Sequence, residues 1–228
     1  TGLAYLHTQL GVIHRDVKSA DVLLDRGLTG RIGDFGIAKK HDPLSPAGKT
    51  AIQKTSHLLG TFAYMSPEYL RSGELSTKVD SYAFGLVMLE ALTGLPVTEP
   101  KPGGLFALFE ENMKQAEDLV SHLDAHGGSW AAHIPEHIAT LHTLISMCLE
   151  QRRRNRAEIK DLIQLLGELR STAEVLEETS SAPQTSDDSR SAAQPPPPLA
   201  TLASPAPAAT LPTQFVCPIT GEVMVDPV

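Results

Sequence analysis

Three aspartates and a lysine stand out for chemistry in this 228-residue chain: Asp16, Lys18, Asp21 and Asp34. They sit in two short motifs, His14-Arg15-Asp16-Val17-Lys18 and Asp34-Phe35-Gly36, one hairpin length apart. Carboxylates accept protons and give hard oxygen ligands to a cation such as Mg²⁺. A lysine offsets negative charge that develops during a reaction. Further along come Gly60-Thr61-Phe62-Ala63-Tyr64, Ser66-Pro67-Glu68, Asp80-Ser81-Tyr82-Ala83-Phe84-Gly85 and Arg156.

These residues need elements to position them. Leu3, Leu6 and Leu10 have the spacing of one helix face, and Gly11 suits the end of that helix. Short apolar runs at Val12-Ile13, Val22-Leu23-Leu24 and Ile32 are punctuated by Gly and Asp, which predicts small strands joined by loops. An apolar helix is expected from Val79 to Thr93, closed by Gly94 and Pro96. Two amphipathic helices are expected over His137–Glu150 and Ala157–Val175. The fold class is therefore α+β and mostly α-helical.

Composition narrows the function classes. Hydrophobic residues make up 41% and charged residues 20%, the balance of a globular chain. A net charge of -8 argues against non-specific nucleic-acid binding, so the run Arg152-Arg153-Arg154 reads as a solvated helix junction. Two cysteines, Cys148 and Cys217, suggest neither a disulfide framework nor a zinc site and point to a reducing intracellular compartment, the cytoplasm being expected. His133-Ile134-Pro135-Glu136-His137 fits an H-x-x-E-H pattern, but Pro135 marks a helix start and spoils the single face that two ligands need. No structural zinc is expected. No apolar stretch is long enough to span a bilayer.

Taken together and in order, the motifs resemble those of eukaryotic-type serine/threonine protein kinases. The resemblance covers residues 1–171 and implies the C-terminal lobe of that fold, with ATP and Mg²⁺ as cofactors and a protein as substrate. It implies that Asp16 orients the incoming hydroxyl and accepts its proton. Asp34 would hold Mg²⁺, and Lys18 would neutralise charge near the γ-phosphate. Thr61 matches a threonine packed on the catalytic Asp and Lys. Arg15 matches the arginine that receives an activation-loop phosphate, with Ser45, Thr50, Thr55 and Ser56 among the hydroxyls of that loop. Leu23 would lie under the adenine. His14 and Phe35 match two stacked members of an internal spine anchored by Asp80, and Glu68 with Arg156 matches a buried ion pair. Gly60 to Met65, the run Ala157 to Lys160, Asp124 and Trp130 resemble the interleukin-1-receptor-associated, Pelle and plant receptor-like kinase group.

Two departures bear on activity. Asp21 stands where the family has Asn. It still offers oxygen to a metal as a second ligand, but an ionised carboxylate cannot donate the hydrogen bond that steadies the catalytic Asp. Weakened catalysis or a shifted metal preference follows. No N-terminal lobe precedes these motifs, so the chain by itself is expected to be inactive. The alternative reading is a pseudokinase scaffold that presents partners to a ligase module.

That module is suggested at the other end. Residues 172–210 are rich in Ala, Ser, Thr and Pro, with Pro195 to Pro198 in a row, and are expected to be a disordered linker. Residues 211–228 resemble the opening of a U-box, from Phe215-Val216-Cys217-Pro218-Ile219 to Pro227 and Val228. The resemblance implies a ubiquitin-conjugating enzyme as partner, contacted by Ile219, once the U-box is complete. The parent protein would then join kinase and ubiquitin-transferase modules.

Overall fold

Short strands pair locally and fasten the loops that carry the motifs. The computed structural model describes residues 1–27, 29–41, 52–98, 103–126, 137–180, 215–216 and 223–224. Strand β1 (Val12–Ile13) pairs antiparallel with β4 (Lys39–Lys40), so the two ends of the stretch holding Asp16 and Asp34 are joined. Between them β2 (Val22–Leu24) pairs with β3 (Gly30–Ile32) in the register Val22–Ile32, Leu23–Arg31 and Leu24–Gly30. A third pair, β5 (Gln53–Lys54) with β6 (Glu74–Leu75), fixes a later stretch of chain.

Helices supply the core. Helix α1 spans Gly2–Thr8 and buries Leu3, Ala4, Leu6 and His7. It stops earlier than its apolar spacing suggests. The amides of Gln9 and Leu10 both reach the Tyr5 carbonyl, which unwinds the last turn, and Leu10 is left 40% exposed beyond it. Gly11 instead takes φ +59° and turns the chain into β1. Helix α2 (Pro67–Ser72) opens with proline at its first position, where the lost N–H had no partner to lose.

Helix α3 (Lys78–Thr93) is apolar on nearly every side and is buried accordingly, from Val79 to Thr93. It ends at Gly94 in the left-handed conformation, as expected. Around it pack α4 (Gly104–Asn112), α5 (Ala116–Val120) and α6 (Ile138–Leu149). Leu86 and Leu89 of α3 meet Leu105 and Phe109 of α4, Leu119 of α5 and Ile145 of α6 in one cluster. Each such side chain contributes about 1.5–3 kcal/mol by leaving water. Gly85 permits a close approach of α3 and α6: a Cβ there would lie 2.7 Å from Cβ of Cys148.

Helix α7 runs Ile159–Ser180 and so crosses position 172, where the linker was expected to begin. Its early turns bury Ile159 and Leu162, and apolar spacing carries the helical pattern further than the change in composition suggests. The chain divides into two compact units, Thr1–Glu177 and Glu178–Val228. In the second, β7 (Phe215–Val216) pairs antiparallel with β8 (Val223–Met224), Phe215 opposite Met224. Ile219, Cys217, Trp130, Ser45, Thr50 and the His133 to Glu136 motif lie outside the described residues. Among the described residues no helix is long and apolar enough to cross a membrane.

Candidate active site

Asp80, at the start of α3, organises the loop after β1. Its Oδ2 accepts the His14 backbone N–H at 2.8 Å and its Oδ1 accepts that of Arg15 at 2.8 Å. His7 Nε2 donates to the same Oδ2, also at 2.8 Å. These bonds hold Arg15 at φ +71°, a conformation rare for a long side chain. The Arg15 Nε donates to the Ile37 carbonyl and so ties this loop to the Asp34 segment. His14 Nε2 donates to the Gly33 carbonyl at 2.8 Å, and its ring meets Phe35 edge-on at 5.1 Å. The structure thus brings His14, Phe35 and Asp80 together, the two rings meeting edge to face rather than stacked, and Asp80 joined through the His14 backbone. His7 was not foreseen; its only signal was a polar residue on the buried face of α1.

Asp16 follows Arg15 and is bound on both oxygens. Oδ1 accepts from Thr61 twice, from backbone N–H and from Oγ1, each at 2.7 Å. Oδ2 accepts from Lys18 Nζ at 2.7 Å. Burial pushes the Asp16 carboxyl up, but the Lys18 and Thr61 bonds outweigh it and hold the group below its usual value. Lys18 is pushed up to about 12, first by its bond to Asp16 and further by Asp21, against a desolvation cost. Nζ stands 3.1 Å from Asp21 Oδ2. Thr61 reaches Asp16 because Gly60 brings the chain close: at φ +120°, a Cβ on Gly60 would sit 2.5 Å from the Arg15 carbonyl oxygen.

Asp34 completes the cluster at φ +56°, which Asp tolerates better than most residues. One oxygen each from Asp16, Asp21 and Asp34 lie within 4.8 Å of one another. Three carboxylates so close repel unless a cation or a proton lies among them. An all-oxygen donor set of this kind fits Mg²⁺. Asp34 is exposed, and Leu23 on β2 is 61% exposed.

Glu68 and Arg156 form a separate, buried ion pair. Arg156 Nη1 and Nη2 donate to the two Glu68 oxygens at 2.6 and 3.0 Å. Arg156 also donates to the carbonyls of Glu150 and Lys78, and its guanidinium lies 4.9 Å from the Tyr82 ring centroid. Ser66 Oγ adds a bond to Glu68. These bonds engage four of the five N–H groups of the buried guanidinium, the pairing that burial of a charge requires.

A family model of the protein kinase domain matches residues 1–165. The chain belongs to the protein kinase family. Among relatives, it is 31% identical over 229 residues to U-box domain-containing protein 35 of Arabidopsis thaliana, covering 99% of this chain and 24% of that protein. It is 33% identical to U-box domain-containing protein 70 of Oryza sativa subsp. japonica, covering 100% of this chain and 25% of that protein. A LysM domain receptor-like kinase of Medicago truncatula is 42% identical over 128 residues, 52% of this chain and 19% of that protein. The kinase chain thus spans about a quarter of the length of the U-box relatives it matches. Tyr64, Glu90 and Ser19 form a further polar cluster. Tyr64 Oη donates to Glu90 at 2.6 Å and lies 3.3 Å from Ser19 Oγ. Glu90 was signalled only as an acid within the apolar stretch Ala83–Leu92 of α3.

Proposed function

We propose that residues 1–171 are the C-terminal lobe of a serine/threonine protein kinase and that the intact protein transfers the γ-phosphate of ATP to a protein hydroxyl. The observation that carries this is Asp16. A carboxylate offers about four lone-pair directions. Thr61 takes two and Lys18 a third. The last, on Oδ2, is left to accept the proton of an incoming Ser or Thr hydroxyl. The hydroxyl oxygen then bonds to the γ-phosphorus, the bond from that phosphorus to the bridging oxygen breaks, and ADP leaves. Lys18 stays cationic throughout the neutral range and offsets the charge on the transferred group. Asp34 and Asp21 would hold Mg²⁺, which neutralises the phosphates when bound. Leu23, exposed on β2, would pack under the adenine, and Arg15 would meet an activation-loop phosphate.

The U-box relatives support a second module: residues 211–228 would open a U-box that engages a ubiquitin-conjugating enzyme through Ile219, after a linker at 172–210. The pairing of β7 with β8 is compatible with that start.

The test is phosphate transfer from labelled ATP by the intact protein. Asp16→Ala is expected to lower the rate by about 10²–10⁴-fold, the usual contribution of a positioned base. Equal rates for the two proteins defeat the reading. One observation favours the scaffold alternative: Asp21 holds Lys18 in an ion pair that an Asn would not form. A wild-type protein without transfer, yet with ubiquitin transfer to a bound partner, is what that alternative expects.

A further inference from the structure

The arginine run that follows α6 takes no part in the phosphate-transfer site, and its members differ. Arg153 Nε stands 3.4 Å from Glu74 Oε2. Arg152 and Arg154 are exposed, and among the described residues no hydrogen bond or ion pair engages either guanidinium. The turn beneath them is fixed by its own backbone. The Arg152 N–H donates to Glu150 Oε1 at 2.9 Å, and the Arg152 carbonyl accepts from the amides of Asn155 and Arg156.

Beside that turn a notch of about 220 Å³ opens between α4 and α6. Phe106, Phe109 and Leu149 form its apolar part, and Glu110, Glu150 and Gln151 its polar part. Glu110 is exposed, and the bond drawn to it, from Gln151 Nε2, is long at 3.4 Å. Its carboxylate therefore keeps most of its acceptor capacity. The buried Arg156 does not balance it, being committed to Glu68 and to the carbonyls of Glu150 and Lys78. An acidic rim over aromatic and aliphatic side chains suits an arginine: the stem lies on the apolar part and the planar head meets the carboxylates.

We infer that this face joins two copies of the chain. Arg152 of each copy enters the notch of the other, its guanidinium against Glu110 and its stem along Phe106. The occupant follows from charge and place. Gln151 lines the notch and Arg152 is the next residue, so one face carries both the acidic hollow and the unpaired cation. Within one chain the two do not meet: Glu150 takes the Arg152 backbone N–H, not its guanidinium. Across a two-fold axis they meet twice, each copy giving one arginine and receiving one. The net charge of -8 opposes the approach of two copies, and an exposed ion pair by itself holds little. The contact is therefore weak and reversible, and it needs both pairs. It does not depend on the kinase reading.

The experiment uses the intact protein with two readouts. Sedimentation across the micromolar range gives the strength of self-association. Glu110→Lys and Arg152→Glu are each expected to weaken it about tenfold. Both positions are exposed, so the melting temperature should stay near that of wild type. An equimolar mixture of the two variants is expected to recover most of the loss, because opposite charges then face each other at both sites. The second readout reports this face alone. Arg152→Lys keeps the charge and offers an amine that a carbodiimide joins to a carboxylate in contact. With ¹⁴N- and ¹⁵N-labelled copies mixed, the expected product is a mixed-isotope peptide pair linking position 152 to position 110. Absence of that mixed-isotope link overturns the inference, as does unchanged association in both variants. Weaker association in both variants with no recovery in the mixture overturns the reciprocal pairing and the inference with it. A wild-type protein that stays monomeric overturns it too; an added basic protein that then binds wild type but not Glu110→Lys would give the notch to a different partner.

Discussion

Asp80 and Asp34 are both aspartates in kinase motifs, and the fold treats them oppositely. Asp80 is 1% exposed and receives three donors, from His7, His14 and Arg15. Asp34 is exposed, and the bond drawn to it within the described residues is a long one, 3.4 Å from the Gly36 N–H. A carboxylate whose lone pairs are consumed by its own chain is a structural anchor. A carboxylate left open beside two others is arranged for something from outside. Asp16 lies between these extremes, mostly consumed yet with one direction open.

The largest effects should separate the two. Asp34→Asn is expected to lower phosphate transfer by about 10²–10³-fold, as loss of a charge that faces the transferring group does. Its thermal transition should move little, because the fold spends almost nothing on that side chain. Asp80→Asn should do the reverse in kind. An Asn places an N–H₂ against a donor whichever way its amide is turned, and a buried donor without an acceptor costs about 1–3 kcal/mol, more beside charge. A Tm lower by about 5–10 °C is expected for the kinase transition. Calorimetry on the intact protein, run beside the transfer assay, makes the comparison; equal Tm losses in both variants would erase the distinction.

Most of this contrast was legible in the sequence, though not through one kind of signal. The order of motifs placed Asp16, Lys18, Thr61, Asp34 and Asp80 in the same neighbourhood, and the apolar pattern located α3 and its Gly94 end. Local pattern misjudged α1, because an amide shared at Tyr5 ends the helix before the apolar spacing does. Short helices such as α2 and α5 left no apolar period to read. Long-range polar partners were least visible. His7 and Asp80 are far apart in the chain, as are Tyr64 and Glu90, and no spacing rule connects them. Such residues announce themselves only as polar interruptions on buried faces.

Asp21 tests the middle of the comparison, and a smaller effect is expected. It draws Lys18 to 3.1 Å while Asp16 holds the same ammonium at 2.7 Å. Asp21→Asn removes one claim on Lys18 and returns a donor that can steady Asp16. Transfer is expected to rise several-fold at fixed Mg²⁺, with the Mg²⁺ needed for half-activity shifting as one carboxylate ligand becomes an amide. An unchanged or lower rate would count against Asp21 as a brake.

The smallest effect expected is that of pH, and its direction follows from the two displaced groups. Asp16 ionises more readily in the folded protein than in the unfolded chain. Its contribution to stability is therefore present above the unfolded value and lost as pH falls through the lower folded one. Lys18 moves the other way, from 10.5 up to about 12, so its contribution is complete below the unfolded value and lost as pH climbs toward the folded one. Between these windows neither group titrates. The difference in Tm between wild type and Lys18→Met should accordingly stay flat from about pH 5 to pH 9 and shrink above about pH 10. Partial exposure of the pair keeps that difference small, about 1–3 °C. Melting curves across this range check it. A difference that varied steeply near pH 7 would mean that another titrating group governs the Asp16 and Lys18 pair, and the open direction on Asp16 would lose its explanation.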